Sequence, residues 1–128
     1  MAFWSKKKMI DSLNKYFNEN KVTVSSKDEF ITFDLYLDKG YTIYPYIKLD
    51  EENDNFSILI NLRELKEKNI YEKLNSFNIK SMYLTAKVNE DGIIILEYNG
   101  KAYHDNIVDI LNNIIETIFD LQDDIDNL

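Results

Sequence analysis

From Asp105 to Leu128 the chain holds an apolar seam at Ile107, Leu111, Ile114, Ile118, Leu121, Ile125 and Leu128. The steps alternate four and three residues, which is one stripe of an α-helix sustained for about six turns. Val108, Ile110, Ile115 and Phe119 widen that stripe beyond a narrow coiled-coil seam. A helix with so broad an apolar side must lie on a wide surface, and the residues before it supply strands for one. The same stretch holds seven carboxylates and no lysine or arginine, so its wet side is acidic.

The strands show as alternation of period two. In 29–38, Ile31, Phe33, Leu35 and Leu37 face one way and Thr32, Asp34, Tyr36 and Asp38 the other. Asp38-Lys39-Gly40 is a turn. The next strand, 41–49, sets Tyr41, Ile43, Ile47 and Leu49 against Thr42, Tyr44, Tyr46 and Lys48. Pro45 cannot donate to a ladder, so that strand should bulge there or lie at an edge. Phe56, Ile58, Ile60 and Leu62 make a third row. A fourth strand at 80–88 turns Met82, Leu84, Ala86 and Val88 inward. Asn89-Glu90-Asp91-Gly92 reads as a hairpin turn. The fifth strand, 93–99, is apolar on both faces and should be central or covered twice.

Helical spacing marks 5–20 through Met9, Ile10, Leu13, Tyr16 and Phe17, with Ser5 as N-cap, and Val22 to Val24 reads as a short extended piece. A second helix falls in 64–78, with a break near Asn69 and Leu65, Ile70, Leu74 and Phe77 as its apolar side. Asp105 is the expected N-cap of the last helix. The expected fold is α+β in the order α-β-β-β-α-β-β-α. It has an antiparallel five-stranded sheet and the N- and C-terminal helices packed on one face, in a single domain over residues 1–128.

Composition narrows the chemistry. The chain has no cysteine, which removes thiolate nucleophiles and cysteine-bound metals and suits a cytoplasmic location. A net charge of −8 disfavours direct contact with nucleic acid. No segment is long and apolar enough to span a membrane. Phe3 and Trp4 beside Lys6, Lys7 and Lys8 are expected to cover an end of the fold, without anchoring it to a membrane. His104 beside Asp105 lacks a nucleophile to serve and reads as a helix-start residue. The acids of 50–54 start like a calcium loop, but Asn55 and Asn61 stand where a glycine and a glutamate are required. Three scattered glycines cannot build a phosphate loop. No enzyme, metal or cofactor is expected.

Two surfaces remain as candidates. Tyr36, Tyr44, Tyr46 and Tyr83 fall on strand positions opposite the core rows, and tyrosine is enriched at protein interfaces. Asp120, Asp123, Asp124 and Asp126 crowd the C-terminal half of the last helix, where the helix dipole disfavours negative charge. A basic partner, or a lysine of the protein's own sheet, is expected to meet them.

Leu74-Asn75-x-x-Asn78, then Lys87-Val88-Asn89-Glu90-Asp91-Gly92 leading into Ile93-Ile94-Ile95-Leu96-Glu97, followed by a long acidic helix, resemble the YbjN family. Its members share the fold of type III secretion chaperones. The resemblance implies a curved antiparallel sheet, frequent dimerisation and binding of other proteins without catalysis. Pro45 departs from the family pattern on an edge used for pairing.

The expected function is therefore a protein-binding module, chaperone-like or regulatory, acting through an aromatic sheet face or edge. The alternative is a small acidic inhibitor from a phage or mobile element that mimics nucleic acid and blocks a host enzyme. The partner is another protein, and a homodimer is expected around Leu74 and Phe77 or a sheet edge.

Overall fold

The computed structural model describes residues 2–27, 30–50, 55–67, 69–101 and 106–128, with side chains from Lys7 onward except Ser26 and Lys27. The side chains of Phe3 and Trp4, the loop at 51–54 and the His104–Asp105 pair lie outside it.

Met9, Leu13 and Phe17 recur every four residues, and their burial fixes helix α1 (Ala2–Glu19) against the sheet. Strand β1 (Val24–Lys27) follows and pairs with β2 (Phe30–Phe33). The predicted strand 29–38 is divided at Asp34, giving β2 and a short β3 (Leu35–Tyr36). The predicted strand 41–49 is divided around Pro45, giving β4 (Thr42–Ile43) and β5 (Tyr46–Asp50). Pro45 thus sits at a break between two sheets, and its carbonyl still accepts from the Phe33 N–H at 3.2 Å. A residue without an N–H can serve a strand from one side only, so the ladder stops there.

Strand β6 (Asn55–Glu64) runs further than the pattern suggested. Leu65 extends its ladder through a bond from its N–H to the Gly92 carbonyl at 2.8 Å, so it does not open a helix. Helix α2 accordingly spans Tyr71–Lys80 rather than 64–78. Strands β7 (Thr85–Val88) and β8 (Ile93–Lys101) form the predicted hairpin, with Gly92 at φ +76°. Met82 is not an inward strand residue: it lies in the turn between α2 and β7 and is 86% exposed.

All pairings are antiparallel, in the order β1-β2-β5-β6-β8-β7, with β3-β4 as a separate two-stranded sheet. The α+β class and the order of major elements are as expected. The main sheet gains a sixth strand because the extended piece after α1 pairs with β2. Strand β8 is interior, as its two apolar faces demanded.

One face of the sheet carries Ile31, Phe33, Ile47, Leu49, Phe56, Ile58, Ile60, Ala86 and Leu96, all buried. Over it lie α1 and α3 (Ile107–Asp120), in contact with each other. The predicted last helix is divided at Leu121, after which α4 (Gln122–Asp126) begins. Ile107, Leu111, Ile114, Ile118, Ile125 and Leu128 are buried along the seam, and Leu121 at the break is half-buried. Asn106 holds the N-cap position of α3, one residue after the expected Asp105.

Ile118 is fully buried on this seam. Removing a buried aliphatic side chain costs roughly 2–5 kcal/mol. Ile118→Ala is expected to lower the melting temperature by roughly ten degrees or more. A calorimetric scan matching the parent would show that α3 is not core.

Candidate protein-binding face and the acidic helix end

The opposite face of the sheet is uncovered among the described residues. One rung across it reads Thr32, Tyr46, Leu59, Glu97 and Thr85, fixed by the register of five strands. Tyr46 stacks on Phe30 with ring centroids 4.8 Å apart and planes 25° from parallel. Ile95 also points outward, opposite Asn61 and Lys87, yet is buried by its neighbours. It floors a shallow groove of about 490 Å³ lined by Leu59, Lys87, Val88, Ile95 and Glu97. Lys87 and Glu97 pair across it at 3.0 Å.

The alternation that faces Ile43 and Ile47 inward carries Tyr44 and Tyr46 to the outer side. Tyr36 pairs with Thr42 and shares that side. Tyr36 is 67% and Tyr44 59% exposed. Three of the four expected tyrosines therefore belong to one side of the β2–β5 region. Tyr83 does not join them. It precedes β7 at the far end of the sheet, packs against the core, and its hydroxyl accepts from Asn113 of α3 at 3.2 Å. Its position lies in the turn after α2, where strand alternation does not apply.

Leu74 and Phe77 are buried in the chain's own core, facing β7, so they offer nothing to a second copy. The outer side of α2 carries apolar residues instead. Tyr71 is 75% and Ile79 77% exposed, and Met82, in the turn that follows, is exposed as well. The signal was present in the sequence, because Tyr71 and Ile79 fall eight residues apart and off the seam of Ile70, Leu74 and Phe77.

The acidic end of the last helix meets the protein's own cations. Lys39, at the tip of the β3–β4 hairpin, pairs with Asp123 at 2.9 Å and Asp126 at 3.4 Å. Lys80, at the end of α2, pairs with Asp124 at 2.9 Å. Arg63, the only arginine, donates to the carbonyls of Asp126 at 2.9 Å, Leu128 at 2.8 Å and Ile125 at 3.3 Å. It thereby bonds to carbonyl oxygens at the end of α4 and places positive charge at the negative helix end. Asp120, the last residue of α3, is exposed.

Gln122 completes the latch. Its amide donates to Asp38 at 2.9 Å and accepts from the Asp38 N–H at 3.1 Å. The hairpin carrying Tyr36, and the segment leading to Tyr44, are held in place from α4. Hydrogen bonds that the Lys39 ammonium donates to Asp123 and Asp126 hold it above its ordinary pKa. Burial, then the Asp126 charge, does the same to the Tyr41 hydroxyl nearby.

No family profile matches the sequence, and no curated protein matches it. Solved structures do. The ExsC–ExsE complex aligns over 91% of this chain and 92% of that one, at 16% identity and a TM-score of 0.59. The HopA1–SchA chaperone–effector complex aligns over 88% and 91%, at 12% identity and a TM-score of 0.60. YbjN from E. coli aligns over 88% and 90%, at 9% identity and a TM-score of 0.54. The fold is the YbjN-like, type III secretion chaperone-like fold. At these identities the likeness is one of backbone architecture.

No group of three or more metal-ligating side chains converges among the described residues, and no described helix is long and apolar enough to cross a membrane.

The Tyr41 hydroxyl is buried with no hydrogen-bond partner among the described residues. An unpaired buried polar group costs about 1–3 kcal/mol, so Tyr41→Phe is expected to raise the melting temperature. Sign follows from the raised pKa: the neutral phenol is favoured in the folded protein, so this stability holds below about pH 10 and is lost as pH rises through the folded value. The parent should therefore lose stability above about pH 10 more steeply than Tyr41→Phe does. Parallel alkaline slopes would refute the assignment.

Proposed function

We propose that this protein is a non-catalytic, chaperone-like binding module that receives another protein on the outer face of its sheet. One observation carries the reading. Among the described residues helices cover one side of the main sheet, and the other carries the Phe30–Tyr46 stack and a shallow groove of mixed polar and apolar lining, with Tyr36 and Tyr44 exposed on the adjoining β3–β4 segment. Aromatic side chains supply large contact area at low rotameric cost, which suits an exposed recognition surface. Two of the structures sharing the fold are complexes, one of them a chaperone with its effector. The expected setting is the cytoplasm.

The acidic-mimic reading loses ground on the same structure. Asp123, Asp124 and Asp126 are engaged by Lys39 and Lys80, which draws their charge inward. Affinity capture from the source cell separates the two readings. A partner retained by the parent, kept in about 1 M salt where screening acts within about 3 Å, and lost by Tyr36→Ser/Tyr44→Ser supports the aromatic face. A partner unaffected by that double substitution but released by salt would favour mimicry.

The homodimer moves to a new place. The proposed self-contact is the exposed apolar side of α2, Tyr71 and Ile79, with Met82 in the turn beyond it, because a twofold axis across α2 would set it against its own copy. Light scattering should give about twice 15.2 kDa at micromolar concentration, and Ile79→Glu should halve it. A parent mass of 15.2 kDa at every concentration would remove the dimer.

A further inference from the structure

The sheet ends at β7, and an edge strand normally leaves outward N–H and C=O groups open to any other chain. Here those of Ala86, and the N–H of Leu84 just before the strand, are occupied by side chains. The Ala86 N–H donates to Asn78 Oδ1 at 2.7 Å, and Asn78 Nδ2 donates to the Ala86 carbonyl at 3.0 Å. One residue pair earlier, the Leu84 N–H donates to Ser81 Oγ at 3.0 Å. An N–H can only donate and a carbonyl only accept, so this geometry fixes which end of the Asn78 amide faces which group.

We propose that Asn78 is an edge lock: its amide takes the place of a neighbouring strand on β7 and keeps that edge closed to strand addition, with Ser81 extending the closure. Asn78 is the second asparagine of Leu74-Asn75-x-x-Asn78, and the two asparagines differ sharply. Leu74 anchors α2 in the core, Asn75 is exposed, and Asn78 reaches over the strand. Only asparagine among short side chains offers a donor and an acceptor in the spacing of a peptide group. Serine, aspartate and alanine each lose one or both.

Hydrogen exchange of the Ala86 amide reads the lock directly. In Asn78→Ala this amide should exchange roughly tenfold faster or more, while the amides of Ile60 and Leu96 in the interior strands keep the parent's protection. Asn75→Ala, on the exposed side of the same helix, should change nothing. Concentrated Asn78→Ala should also form larger species that the parent does not. Asn78→Asp keeps the shape and the acceptor, so it serves even if the alanine variant folds poorly. Its carboxylate faces the Ala86 carbonyl without a proton. Protection corrected for intrinsic rates should fall at neutral pH and recover as the acid protonates and donates again. Unchanged Ala86 protection in a folded Asn78 variant, or no recovery of Asn78→Asp at low pH, would overturn the lock. Parent-like size in solution would overturn its role in closing the edge.

Discussion

Burial of one broad apolar stripe sets the terms for this fold. The side chains from Ile107 to Leu128 can leave water only against a surface about as wide as a sheet, and α1 shares that surface. Placing both helices on one face leaves the other without cover among the described residues. The outer face is thus a by-product of the packing that makes the core, and its chemistry is set by the alternate residues of the same strands. Tyr46 points out because Ile47 must point in.

The end of the last helix shows how a local electrostatic cost becomes a tertiary asset. Carboxylates near a helix C-terminus are unfavourable in isolation. Here they draw in the β3–β4 tip through Lys39, and α2 through Lys80. Arg63 supports the terminal carbonyls directly. Exposed ion pairs contribute little singly, but these link three elements at one point. The hairpin bearing Tyr36 depends on that point for its position, so the acidic end and the aromatic face are one system.

The β7 edge of the main sheet shows how this fold treats open strand groups. At β7, Asn78 of α2 and Ser81 just after it bond to outward backbone groups of Ala86 and Leu84. The same helix turns Tyr71 and Ile79 to solvent. Helix α2 therefore turns one side to β7 and the core and another to solvent within ten residues.

Periodicity determined the class, the number of long helices, the five strand rows and the inward residues, because a side chain's face follows from 3.6 or 2 residues per repeat. It also placed Tyr36, Tyr44 and Tyr46 outward. Where the chain turned, periodicity stopped applying, and Met82 and Tyr83 were assigned to a strand that begins only at Thr85. It could not show that Leu74 and Phe77 would be consumed internally, since a helix seam reads the same whether it meets its own sheet or a second chain. The breaks at Asp34, Pro45 and Leu121, the capping by Arg63, and the reach of Asn78 to Ala86 were decided by tertiary structure alone. Each depends on which residues distant in sequence become neighbours, and a hydrogen bond has no periodicity to announce it.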